Sequence, residues 1–173
     1  MEKRSDLADG YSGFEKEKDN TDKPSILCVD DEAFILNALR RQLRSLGDIH
    51  IEESCLSALE LIKSQTFDIV ITDMKLPDMT GAELLAAVKA LKLDDAPECL
   101  LITGHSDSDS LESAINTGLV QRFLNKPWKQ SELIVVVHDL LQKRKLKQKN
   151  RELSLEIHQV SKLYYFITVV FFE

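Results

Sequence analysis

"ILCVDDEAFILNAL", Ile26 to Leu39, decides the architecture. A short apolar run leads straight into two adjacent aspartates, and apolar residues at helical spacing begin directly behind them. The pattern describes a buried strand that delivers a double negative charge to its own tip and hands over at once to a helix. Like charges that close repel, and the low-dielectric core beneath them strengthens the repulsion. Asp30 and Asp31 therefore require a positive partner.

The alternation continues outward from that stretch. Apolar runs recur as "SILCV", "IHIEE", "DIVIT", "ECLLIT" and "LVQRFLN". Between and after them lie "EAFILNALRRQLRSLG", "SCLSALELIKSQ", "TGAELLAAVKALK", "SDSLESAINTG" and "KQSELIVVVHDLL", all with helical periodicity. Strands alternating with helices of this length predict βαβ units and a parallel sheet. The unbroken apolarity of "DIVIT" and "ECLLIT" predicts strands covered by helices on both faces. The expected fold is α/β, a doubly wound five-stranded parallel sheet. Such sheets bind ligands beyond the carboxyl ends of their strands. That edge carries Asp30 and Asp31 after the first strand, Asp73 after the third, Thr103 after the fourth and Lys126 after the fifth.

Composition narrows the function classes. The net charge of −7 argues against general nucleic-acid affinity. Cys28, Cys55 and Cys99 are odd in number, widely spaced and set in apolar runs. They read as small buried hydrophobes in a reducing cytosol rather than a disulfide framework or zinc site. Residues 1–23 mix charges of both signs with Gly and Ser and contain no apolar leader segment, so a disordered tail is expected. No run reaches the roughly 18 continuous apolar residues of a membrane span, and a cytoplasmic location is expected.

Taken singly, the edge residues have plain readings. "DD" can be a solvated turn, Asp73 a turn residue, Thr103 part of a helix-leading loop, and "KP" a loop. Their joint placement carries the inference. Three carboxylates at neighbouring strand ends form a hard-oxygen site suited to Mg²⁺, the positive partner, with Lys126 assisting. One carboxylate could then attack a phosphoryl group to give an acyl phosphate. The metal, Lys126 and the Thr103 hydroxyl would share the charge on the equatorial oxygens.

"ILCVDDE", "DIVITDMKLPDMTG", "LLITGHS" and "RFLNKPW" resemble, in order and spacing, the four signature stretches of receiver domains of two-component response regulators, the CheY-like superfamily. The resemblance spans roughly residues 25–143. It implies a flavodoxin-like strand order 2-1-3-4-5 and Asp73 as phosphoacceptor. Asp31, Asp73 and the backbone carbonyl of Lys75 are implied ligands of Mg²⁺, with Asp30 holding a metal-bound water. Thr103 would meet a phosphoryl oxygen and Lys126 the phosphate. Phe123 falls at the family's aromatic switch position, although on its residues alone it is a strand residue covered by a helix. The Lys126–Pro127 bond is expected to be cis. Lys75 and His105 fall where the family tunes phosphoryl lifetime; shielding the attacking water and orienting it both stay open, and a loop histidine is ordinarily solvent-exposed. Pro77 stiffens the loop beside Asp73, and Gly81 suits a loop that ends where the third helix packs.

The implied partner is a histidine kinase or phosphotransfer protein, and the implied role is a phosphorylation-controlled signalling module that carries no catalytic output domain here, its output either supplied by a partner or lost from this chain. The alternative is a degenerate receiver used as a constitutive interaction or dimerisation module; the intact set Asp30, Asp31, Asp73, Thr103 and Lys126 favours the first. A dehalogenase-type phosphatase would want an acid where Lys75 stands, and no phosphate-binding loop, dinucleotide fingerprint or zinc-protease motif is present.

The last helix has no evident stop, since Gly and Pro are absent from Gln130 to Lys162. The expected organisation is a receiver over 24–143 and a helical or coiled-coil extension over 144–173. Lys143, Arg144, Lys145, Lys147, Lys149 and Arg151 read as a solvated helical face in preference to a nucleic-acid patch. Leu146, Asn150, Leu153, Ile157, Val160 and Tyr164 form a heptad seam with a polar register-setter, which predicts a weak parallel homodimer. The closing "LYYFITVVFFE" is too short to span a bilayer and is an aggregation hazard when exposed.

Overall fold

The computed structural model describes residues 23–104, 115, 118, 120 and 122–172. Strands β1 (Ser25–Val29), β2 (Asp48–Glu52), β3 (Ile69–Asp73), β4 (Glu98–Thr103) and β5 (Arg122–Asn125) form one parallel sheet in the order β2-β1-β3-β4-β5. Helices α1 (Ala33–Leu43), α2 (Cys55–Ser64) and α3 (Gly81–Ala90) follow the first three strands, and a long C-terminal helix runs from Gln130 to Phe172. The strand order is the one expected. Residues 1–22 of the expected tail, and nearly all of "SDSLESAINTG", lie outside the described residues.

The two-residue period of a strand builds two cores from one sheet. Ile26, Cys28, Ile69, Ile71, Leu100 and Ile102 face α1 and the C-terminal helix, packing on Leu36, Leu39, Leu43, Leu133, Val137 and Leu140. Their alternates Leu27, Val29, Val70, Cys99 and Leu101 face α2 and α3, packing on Ala58, Ile62, Leu84, Leu85 and Val88. Every residue of β3 and β4 is buried, as continuous apolarity requires of doubly covered strands. The three cysteines sit inside these cores without disulfides. Burial pushes the thiols of Cys28, Cys55 and Cys99 up to about 12, so they stay protonated and inert.

The basic run departs from expectation. Lys145 and Lys149 are solvated, but Arg144 is only 4% exposed. The helix stripe that buries Leu133, Val137 and Leu140 continues through Arg144, Lys147, Gln148 and Arg151, so these side chains meet the amino-terminal edge of the sheet. Arg144 donates to the Ala96 carbonyl at 2.7 Å and the Asp95 carbonyl at 3.3 Å. Its guanidinium also lies 2.6 Å from an Asp95 carboxylate oxygen and 3.4 Å from Asp68. Asp68 in turn accepts the Ser25 N–H at 2.9 Å, which ties the helix to the start of β1. Lys147 and Lys143 pair with Glu98, whose side chain is fully buried, and Arg151 pairs with Asp94. A carboxylate buried at the first residue of a central strand is costly unless it is paired and hydrogen-bonded; Lys147 hydrogen-bonds Oε1, and Lys143 offsets the charge of Oε2 at 3.3 Å without a hydrogen bond. The run is a clamp.

Arg144→Ala tests that reading. Breaking a fully enclosed ion pair costs about 3–5 kcal/mol. Asp68 and Asp95 are partly exposed, so we expect a loss of about 2 kcal/mol in urea-unfolding stability. Lys145→Ala, on the solvated face, should change it by less than about 0.5 kcal/mol. Equal effects would mean that the clamp does not hold the helix.

Candidate functional site

The carboxyl edge of the sheet brings the predicted residues together. β1 ends at Val29, and Asp30 follows with its N–H on the Glu52 carbonyl at 3.2 Å. This bond prolongs the pairing with β2 and turns the Asp30 side chain inward, where it is buried. Its Oδ1 accepts the Glu32 N–H at 2.9 Å and its Oδ2 accepts from Lys126 Nζ at 2.9 Å. Asp73 closes β3, also buried; Lys126 Nζ lies 2.6 Å from its Oδ1, and its Oδ2 accepts the Lys75 N–H at 2.8 Å. Thr103 closes β4, with its hydroxyl donating to the Gly104 carbonyl at 3.2 Å. The Lys126 N–H bonds the Thr103 carbonyl at 2.8 Å, so β4 positions the lysine backbone directly. The Lys126–Pro127 bond is cis, as expected. Beyond it, Trp128 Nε1–H donates to Gln42 at 3.1 Å and pins the segment to α1.

The electrostatics answer the question that "DD" raised. Burial pushes the Asp30 carboxyl above its ordinary value, and the Lys126 ammonium and Glu32 N–H oppose that shift. Burial also weakens the Lys126 ammonium, but hydrogen bonds to Asp73 and Asp30 outweigh it and raise its pKa. The lysine therefore stays charged at neutral pH, poised between two carboxylates. The sequence reading gave it an assisting role; here Lys126 itself bridges the pair.

The remaining predicted residues are less enclosed. Asp31 is on the same edge with an exposed side chain. Phe123 pairs in register with Leu101 and is 44% exposed, so it is not the covered strand residue that its neighbours alone suggest. His105 lies outside the described residues. Among the described residues, no three Asp, Glu, His or Cys side chains close into a ready-made metal cage. Mg²⁺ does not need one, because it keeps several waters and takes only one or two carboxylates. The donors on this edge are all hard oxygens (Asp30, Asp31, Asp73 and a backbone carbonyl), and that set fits the ion.

The loop after β3 contains a contact the sequence reading missed. Asp78 Oδ2 accepts the Leu56 N–H at the start of α2 at 2.8 Å, although the two are 22 positions apart. An Asp after Pro77 signals a turn, but nothing local names its partner. Thr80 and Glu83 form a capping box at the start of α3, on the spacing of "TGAE".

A family model described as "Response regulator receiver domain" matches residues 26–138. The chain is 36% identical over 116 residues to regulatory protein LuxO of Vibrio vulnificus, covering 66% of this chain and 25% of that protein. It is 26% identical over 137 residues to hydrogenase transcriptional regulatory protein HoxA of Bradyrhizobium diazoefficiens, covering 79% and 28% respectively. The signal receiver domain of an HD domain-containing protein from Pseudomonas fluorescens Pf-5 superposes with a TM-score of 0.68 at 32% identity, over 75% of this chain and 94% of that one. The chain thus spans about a quarter of the length of the curated relatives it matches.

Proposed function

Because this chain belongs to the response regulator receiver domain family, we propose that it is phosphorylated on Asp73 within a two-component phosphorelay. The observation that carries the reading is the Lys126 bridge between two buried strand-end carboxylates, with Asp73 at 2.6 Å and Asp30 at 2.9 Å. Asp31, Asp73 and the Lys75 carbonyl would hold Mg²⁺, with Asp30 acting through a bound water; the ion supplies charge neutralisation on the phosphoryl oxygens. An Asp73 carboxylate oxygen attacks phosphorus as the bond to a phosphohistidine nitrogen, or to the acyl oxygen of acetyl phosphate, breaks. The electron pair leaves with the donor. Lys126 then follows the charge from carboxylate to phosphoryl oxygen, and the Thr103 hydroxyl turns from the Gly104 carbonyl to a second oxygen. The partner is a histidine kinase or phosphotransfer protein, and the Phe123 face reports the modification.

Incubation with acetyl phosphate and Mg²⁺, read by intact mass, should add one phosphoryl group per chain, and EDTA should prevent it. Beryllofluoride should shift the Phe123 amide resonance. Uptake undiminished in EDTA would sink the reading, and a Phe123 signal blind to beryllofluoride would remove its switch role.

A second copy of the chain is the other proposed partner. Leu146, Leu153, Ile157, Val160 and Tyr164 are exposed, and at 100° per residue they lie half a turn from the clamped stripe through Arg144. Pairing along this seam would leave each body on the outside, clear of the other helix. Sedimentation should show a weak dimer that Ile157→Glu makes monomeric; a wild-type chain monomeric at high micromolar concentration would refute it.

A further inference from the structure

The loop that follows Asp73 is fastened at both ends. At its base the Lys75 N–H is on Asp73 Oδ2 at 2.8 Å, and the Gly81 N–H is on the Met74 carbonyl at 3.0 Å. At its far side two successive residues reach across to the first turn of α2. The Asp78 carboxylate takes the Leu56 N–H at 2.8 Å, and the Met79 carbonyl takes the Cys55 Sγ–H at 3.6 Å. Slight burial raises the Asp78 carboxyl, but the N–H groups of Leu56 and Cys55 outweigh it and hold it below its ordinary value, so it is anionic at neutral pH. Between the fastenings lie Lys75, Leu76 and Pro77, and Lys75 carries the carbonyl assigned above to Mg²⁺.

We infer that Asp78 is a positioning residue, holding the Lys75–Met79 loop against α2 so that the Lys75 carbonyl is presented to the metal. The inference deepens the proposed Mg²⁺-dependent phosphoacceptor function and depends on it. A backbone carbonyl cannot be reoriented by its own side chain; its direction is set by what holds the neighbouring peptides. Asp78 acts three residues away, on α2, which supplies none of the residues assigned to the metal or the phosphoryl group. Supporting contacts of this kind typically change metal affinity about 10–100-fold when removed.

Asp78 also caps α2, so a plain stability effect must be separated from a positioning one. Ser54 provides the control. Its Oγ accepts the Ser57 N–H at 3.1 Å and caps the same helix without touching the loop. Asp78→Ala and Ser54→Ala should lower the melting temperature by similar amounts. Only Asp78→Ala should weaken Mg²⁺ binding by calorimetry, by about ten-fold, and only it should speed amide hydrogen exchange at Lys75 and Leu76. Asp78→Asn, which keeps an acceptor oxygen, should restore most of both. If Asp78→Ala and Ser54→Ala match in Mg²⁺ affinity and in loop exchange, the inference is overturned. If the wild-type chain shows no Mg²⁺ heat, the proposed metal-dependent phosphoacceptor function fails instead, and loop exchange still decides whether Asp78 holds the loop.

Discussion

Asp73→Asn is expected to abolish phosphoryl uptake while leaving the fold intact. An amide is nearly isosteric with a carboxylate, so the end of β3 should keep its pairing to β4 and its bond to the Lys75 N–H. What it loses is the anionic oxygen that would become part of the proposed acyl phosphate, which no neighbouring residue is placed to replace. Asp30 is buried with both oxygens engaged, by Lys126 and the Glu32 N–H. Asp31 is exposed and not bridged by Lys126. Incorporation from acetyl phosphate should fall by more than about a hundred-fold, as expected when a covalent nucleophile is removed. Intact mass measures it, and circular dichroism checks the fold. Equal uptake by the Asn variant would place the acceptor elsewhere.

Gly81→Ala should be the most damaging small substitution near the site. By propensity alone it would help, because alanine in place of glycine favours a helix by about 1 kcal/mol. Sterics decide the other way. A Cβ on Gly81 would stand 2.1 Å from the Asp73 carbonyl oxygen and 3.0 Å from Leu101 Cδ1. The oxygen belongs to the backbone of a central strand and cannot swing aside, so α3 must back away from β3. The expected cost is about 3 kcal/mol in urea unfolding. Because the obstructing atom is in Asp73 itself, phosphoryl uptake should fall alongside stability. A variant as stable as wild type would show that α3 can yield without cost.

Much of this was legible in the sequence, for a physical reason. A strand buried on both faces has little choice but a continuous apolar run, and "ECLLIT" marks β4 residue for residue. Strand tips are equally plain, because charge or hydroxyl beside such runs stands out; Asp30, Asp73, Thr103 and Lys126 could be placed on one edge before any geometry was known. Long-range polar partners were not legible. Arg144 looked like one cation in a solvated run because Asp68, Asp95 and Ala96, which hold it, lie 48 to 76 positions away. Asp78 looked like a turn residue for the same reason. Apolar periodicity records which face is buried, but it does not record which charge meets which. β5 shows the limit from the other side: the run "LVQRFLN" takes in Val120, which lies outside the strand Arg122–Asn125, and half-exposed edge positions carry too weak a pattern to mark its start.

The clamp turns the C-terminal helix into a lever with its pivot at the floor of the sheet. Beyond Arg151 the helix continues to Phe172, an arm of roughly 30 Å at 1.5 Å per residue. On an arm of that length a tilt of about 10° at the pivot would sweep the tip sideways through roughly 5 Å, about half the width of a helix with its side chains. Displacements too small to see around Asp73 could thus emerge at the far end as a sideways shift of the surface offered to a partner. The arm is also only as stiff as its fastening: weakening Arg144 would make the tip wander, and a wandering tip carries no angle.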